Sequence, residues 1–320
     1  SNLDTDSLDR LLADHDSGQP LCLVICTWSP HIPWPENDGY DPQRIDIPPY
    51  LVDTPITRSA RSRYYTDVTL LDARLGSCLD SLKQHDFEDN TMVVYISDHG
   101  AQWPFAKWNL YDAGIRVPMV IRWPGVVKQG QVTGALVSLV DLLPTLIEIA
   151  GGKIPDDIDG RSLVPVIKDG KDQHRTEIFA THTGDQNINE WPMRGVRTGR
   201  FKYIRNLQPD GVYDTHITLG KPVDGVDYWQ SWQERAKTDP AAALLVNRYR
   251  HRPSEELYDL QNDPHELNNL AGEASYQRVK ADLRERMESW RTRQGEETNS
   301  SKVKRQDEKD RDEKDRDQSD

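Results

Sequence analysis

The residues best suited to chemistry fall in two short strings, Ser97-Asp98-His99-Gly100 and Ser29-Pro30-His31-Ile32-Pro33, with Lys107 nine residues beyond Asp98. Asp98 and His99 follow an apolar run, so they stand at the end of a strand, the edge where ligands bind in open α/β sheets. Adjacent carboxylate and imidazole groups face one cation only if the backbone turns sharply, and Gly100 permits that turn. A strand ending in Asp-His-Gly also serves as an ordinary loop-capping turn. His31 lies between prolines that restrict the backbone and hold its ring in one place, as a general acid or oxyanion partner requires. The same ring could simply hydrogen-bond backbone in a Pro-rich loop. Lys107, amid Trp103, Phe105 and Trp108, is either a snorkelling surface cation or a desolvated charge aimed at an anion. If the two strand ends neighbour each other, Asp98, His99, His31 and Lys107 converge into a metal-plus-cation pocket. Such a pocket suits a tetrahedral oxyanion ester, whose developing charge needs fixed positive partners.

Strands and helices must position these groups. Leu21–Trp28 is a continuous apolar run that predicts a buried central strand. Residues 29–57 hold seven prolines, which predicts a long ordered surface excursion. From Ser59 to His85, apolar residues recur every three or four positions, as in an amphipathic helix. Asn90–Asp98 and Arg116–Pro124 read as two further buried strands, and Ser138–Gly151 as a buried helix closed by a glycine pair. This alternation predicts an α/β fold with a mixed, mostly parallel sheet flanked by helices over residues 1–175. A small C-terminal α+β subdomain is expected over residues 176–294. Its elements are a strand at Glu177–His182, a hairpin around Thr198-Gly199, a short strand at Glu256–Asp259 and a helix marked by Tyr276, Val279, Leu283, Met287 and Trp290. Residues 295–320 read as a disordered charged tail, since Lys302–Asp320 carries seven basic and eight acidic side chains and almost nothing apolar.

Composition narrows the function classes. With 40 basic and 53 acidic residues the net charge is −13, which repels phosphate backbones and argues against nucleic-acid partners. No run approaches the roughly 20 apolar residues of a membrane span, and the mean hydropathy is −0.78. Cys22, Cys26 and Cys78 are too few for a disulfide scaffold and lack zinc spacing. The sequence opens at Ser1 and shows no signal-peptide apolar region, so it is expected to start within a longer protein.

The stretch DNTMVVYISDHGAQWPFAKWNLYDAGIRVPMVIRWPG, Asp89 to Gly125, is similar to a block of the sulfatase family, within the alkaline-phosphatase superfamily. So are the helix carrying Tyr64-Tyr65, Leu71-Asp72 and Gly76, and the SPHIPWP loop. In the C-terminal region Trp191-Pro192-Met193-Arg194, Phe201-Lys202-Tyr203-Ile204, the highly specific Glu256–Glu266 string and Asn269-Leu270 resemble the family's subdomain. The resemblance covers about residues 15–294 and is closest to the heparan N-sulfatase (sulfamidase) subgroup. It implies an alkaline-phosphatase-like fold, incomplete here, and a sulfate ester or sulfamide hydrolase acting on a sulfated sugar or glycan such as heparan sulfate. It further implies Asp98 and His99 as calcium ligands, His31 against the sulfate or leaving atom, Lys107 as the sulfate-binding cation, and His182 near the substrate. A periplasmic or secreted setting is the family's expectation.

Two departures stand out. The family's Cys/Ser-x-Pro/Ala-x-Arg, source of its formylglycine nucleophile, has no match: Cys26-Thr27-Trp28-Ser29-Pro30 and Ser59-Ala60-Arg61-Ser62-Arg63 both miss it. The only Asp pair, Asp156-Asp157, reads as a loop turn. The nucleophile and remaining metal ligands are therefore expected upstream, and this chain alone is expected to be inactive because such parts act as a unit. Two alternatives stay open, an inactive sulfatase-like remnant or carbohydrate-binding module, and a phosphoester hydrolase of the same superfamily.

Overall fold

A computed structural model describes residues 5–16, 18–37, 39–184, 189–220 and 225–296. Helix α1 (Thr5–Asp14) buries Leu8 and Leu12, one turn apart, against α2 (Pro55–Gln84). Helix α2 starts four residues before the predicted Ser59 because Thr54 caps it, its Oγ1 accepting from Thr57 N at 3.0 Å, and Pro55 fits the first turn. The Pro-rich excursion before it is ordered as predicted: Arg58 donates to the carbonyls of Pro42, Gln43 and Ile45, and Ser62 and Tyr40 bond each other.

Strands β1 (Val93–Ile96) and β2 (Met119–Arg122) lie where sequence placed them, but they pair antiparallel, Val93 opposite Arg122. A parallel pair needs a long crossover helix; here the connection is loop plus one helical turn, α3 (Asp112–Ile115). The expected strand at Leu21–Trp28 is not formed. That run is extended coil, with Val24 79% and Trp28 58% exposed. An apolar run becomes a central strand only where neighbours supply ladder bonds and cover both faces, and no described strand pairs with it. Ser138–Gly151 is helical as α4 (Leu142–Ile149), preceded by a capped 3-10 turn, but only one face is buried: Pro144 and Thr145 are covered while Leu143 is 57% exposed. Helix α5 (Val164–Asp169) follows and ends at Gly170 in the left-handed region.

Strands β3 (Glu177–His182), β4 (Met193–Thr198), β5 (Phe201–Asn206) and β6 (Glu255–Asp259) form a sheet in that order, antiparallel throughout. All described ladders are thus antiparallel, where a mostly parallel sheet was expected. Between β5 and β6 come α6 (His216–Leu219), α7 (Val226–Ala236) and α8 (Pro240–Arg250), which the sequence reading did not anticipate. Helix α9 (Gln277–Arg293) buries Leu283 and Met287 against Val196, Tyr203 and Leu257 of the sheet. The main core joins Trp103, Phe105 and Tyr111 to Tyr213, Tyr228, Trp229, Trp232 and Tyr249, so one aromatic core crosses position 175. Of the expected tail, Glu296 is tied into the fold by Arg194 and Arg291, and residues 297–320 lie outside the described ones.

Candidate functional site

The end of β1 turns as the Asp-His-Gly string requires. Gly100 N donates to Gly114 O at 2.8 Å, and a Cβ on Gly100 would stand 1.9 Å from Ala113 O, so only glycine fits. Ser97 Oγ donates to His99 O at 2.9 Å and His99 N to Asp98 Oδ1 at 2.9 Å. His99 Nδ1 lies 2.8 Å from Gly100 O; a carbonyl can only accept, so Nδ1 carries the proton. In the Nδ1–H tautomer the Nε2 lone pair faces Asp98 Oδ2 across 3.5 Å. Two electron-rich atoms so placed invite a proton or a cation between them. Their side chains are 84% and 43% exposed for Asp98 and His99, and no group of three metal-ligating acidic, His or Cys side chains occurs among the described residues. The pair offers two donors where calcium takes six to eight, which fits one side of a divalent site.

His31 sits in a loop braced by its own aromatics. His31 N donates to Trp28 O at 2.8 Å, Trp28 Nε1 to Ile32 O at 3.3 Å and Trp34 Nε1 to Pro30 O at 3.0 Å, with cis bonds before Pro30 and Pro33. Trp34 stacks on Trp103 at 4.9 Å, which anchors the loop to the core. His31 Nδ1 donates to Ile32 O at 2.7 Å, leaving Nε2 to accept from Lys107 Nζ at 3.2 Å. The structure therefore joins His31 with Lys107, 76 positions apart in sequence, whereas the bonds of Asp98 and His99 stay within their own turn. Lys107 is no free snorkelling cation: it is half-buried, and its Nζ also lies 5.0 Å from the Trp108 ring centroid.

The turn bearing Lys107 is held from several sides. Asn109 Nδ2 donates to Lys107 O at 3.0 Å, Arg252 Nη2 to Asn109 Oδ1 at 2.6 Å, and Tyr213 OH to Trp108 O at 2.7 Å. Phe105 and Trp108 have φ of 64° and 62°, a strained state for bulky residues that persists only where the surroundings enforce it. Arg252 is fully enclosed. Burial works against its charge, yet the Tyr111 oxygen and the Glu256 carboxylate outweigh that and hold its pKa above the ordinary value.

His182 closes β3, and its Nε2 donates to Asn189 O at 3.0 Å. The Asn189 side chain holds His216, whose ring stacks on Trp108 at 5.2 Å. His182 thus reaches the Lys107 turn through Asn189 and His216. Asn109, Arg252, Asn189 and His216 escaped the sequence reading. His216 and Arg252 lie in the aromatic-rich segment 207–254, the one signal for them, while Asn109 and Asn189 carry none, since side chains that steady others show no spacing of their own.

Comparison with known proteins gives this geometry a context. Residues 2–152 match the family described as Sulfatase, and residues 99–217 and 240–293 match N-sulphoglucosamine sulphohydrolase, C-terminal. An ulvan-active sulfatase of Formosa agariphila is 32% identical over 284 residues, covering 87% of this chain and 53% of that protein. Human N-sulphoglucosamine sulphohydrolase is 29% identical over 287 residues, 83% of this chain and 53% of its own length. The chain spans about half the length of these curated relatives. Among solved structures, the phosphonate monoester hydrolase SpPMH of Silicibacter pomeroyi superposes with a TM-score of 0.63 at 22% identity, over 91% of this chain and 60% of that one. BT4656, in complex with its substrate D-glucosamine-2-N,6-O-disulfate, gives 0.55 at 22% identity, over 76% and 43%.

Proposed function

Because the chain belongs to the sulfatase family, with an alkaline-phosphatase-like α/β fold, we propose that it carries the sulfate-recognition site of a hydrolase acting on sulfated sugars, as an ester or sulfamide. The observation that carries this reading is the Lys107 Nζ to His31 Nε2 contact of 3.2 Å, held by two braced loops. A sulfate oxygen placed at Lys107 meets a fixed cation that need not reorganise as charge develops. His31 Nε2 accepts a hydrogen bond from Lys107 in this state, and an imidazolium formed by taking a proton from solvent would be placed to pass it to the departing oxygen or nitrogen. Asp98 and His99 Nε2 would hold part of a calcium ion, which supplies polarisation of the sulfate oxygens when bound. Cys/Ser-x-Pro/Ala-x-Arg is absent from these 320 residues, so we expect this chain by itself to bind sulfated sugar without turning it over.

The names of the relatives support N-sulfated glucosamine as the first ligand to test. Calorimetry on the full chain should show glucosamine N-sulfate binding in preference to N-acetylglucosamine and glucosamine 6-phosphate, with Lys107→Ala weakening it more than about tenfold, as for loss of a charged contact. Equal affinity for the phosphorylated sugar, or no effect of Lys107→Ala, would overturn the proposal.

A further inference from the structure

The lysine turn rests on a histidine whose protonation state is fixed by geometry. Asn189 is 4% exposed, with φ of 54°. Its Oδ1 accepts from the backbone N–H of His216 at 2.8 Å. The atom 2.8 Å from His216 Nδ1 must then be the Asn189 amide nitrogen, a donor. His216 Nδ1 is therefore an acceptor, and the ring is neutral with its proton on Nε2. This ring lies flat on Trp108, 5.2 Å between centroids and 17° between planes. Trp108 in turn carries the Lys107 ammonium at 5.0 Å from its centroid, and that ammonium is the group 3.2 Å from His31.

We infer that His216, kept neutral by Asn189, is a positioning residue for the sulfate site: it braces the Trp108 indole, and the indole aims Lys107 at His31. The inference rests on the proposed role of Lys107 and His31. A neutral ring is what the arrangement needs, because an imidazolium on the same indole would compete with Lys107 for its π-density and repel it. The strained φ of Trp108, 62°, is what a side chain clamped from outside its own turn would show. His182, donating to Asn189 O at 3.0 Å, steadies the far end of the same relay.

The test uses the full chain with His216→Ala, His216→Phe, Asn189→Ala and Lys107→Ala, reading glucosamine N-sulfate affinity by calorimetry and histidine ring nitrogens by NMR. His216→Ala should weaken binding about threefold to tenfold, the range of one aromatic pair, and shift the His31 ring resonances. His216→Phe, which keeps a flat ring, should restore most of both. Should His216→Ala fail to fold, Asn189→Ala and His216→Phe give the same comparison. Wild-type His216 should show the Nε2–H tautomer. An Nδ1–H tautomer, or His216→Ala leaving both affinity and the His31 resonances unchanged while Lys107→Ala abolishes binding, would overturn the inference and spare the site. If Lys107→Ala leaves binding intact, the site reading fails instead, and the His31 resonances in His216→Ala alone decide the relay.

Discussion

At the scale of single residues, the site depends on groups that leave their neighbours one choice. A carbonyl beside His31 Nδ1 and another beside His99 Nδ1 set both rings to present Nε2, one to Lys107 and one to Asp98. Gly100 is similarly constrained, by space rather than by φ, because the Ala113 carbonyl occupies the position of its missing Cβ. Gly100→Ala should cost about 3 kcal/mol through overpacking, seen as a lower denaturant midpoint, and should weaken any divalent-ion binding at Asp98 and His99. A midpoint equal to the wild type would show that the turn is looser than its contacts imply. His31, Asp98, His99 and Lys107 stand out in the sequence as chemically distinctive residues, beside prolines, at the end of β1 or amid aromatics. Asn189 and His216 were not, because their part is to hold something else, and such roles exist only in three dimensions.

At the scale of elements, a buried charge cluster ties α3 to the four-stranded sheet. Lys202 of β5, 1% exposed, lies 2.6 Å from Asp112 and 2.8 Å from Glu266, and Arg197 of β4 lies 3.1 Å from Asp112. Burial alone would raise the Asp112 pKa, but Lys202 and Arg197 outweigh it and bring it down to about 2. For Glu266 burial dominates and its pKa is raised. The two signs give a defined profile. Asp112 contributes about 2 kcal/mol that is present above pH 4 and lost as pH falls through its folded pKa near 2. Glu266 is penalised when ionised, so its cost is relieved as pH falls towards its unfolded pKa. Thermal stability should therefore rise modestly on mild acidification and fall below pH 4. Glu266→Gln should flatten the rise and keep the fall; a fall that vanishes in Glu266→Gln would assign it to the wrong carboxylate. The strands of this sheet and α9 were visible in sequence, since alternation and helical period are local, whereas α3 was not. Segment 207–254 shows no clear period in sequence, although its aromatics supply much of the core.

At the scale of the molecule, the largest difference from expectation is the run Leu21–Trp28. Val24 is 79% exposed, so Val24→Asp should change the stability of this chain by no more than about 0.5 kcal/mol. A central strand would lose about 3 kcal/mol or more from the same change; a loss of that size in chemical denaturation would restore the strand. The chain's acidic balance, −13, means that the sulfated sugar proposed above would have to be drawn by local cations, since the overall field opposes it. The amino-acid sequence by itself determined the family and many of the elements, such as β1, β2, β3 and α9, because motif and hydrophobic period are properties of neighbours along the chain. Only the tertiary structure decided strand direction, which apolar runs are covered, and that His31 meets Lys107 across 76 positions. Those depend on partners distant in sequence, and burial, ladder bonds and tautomers are settled by what arrives from elsewhere in the fold.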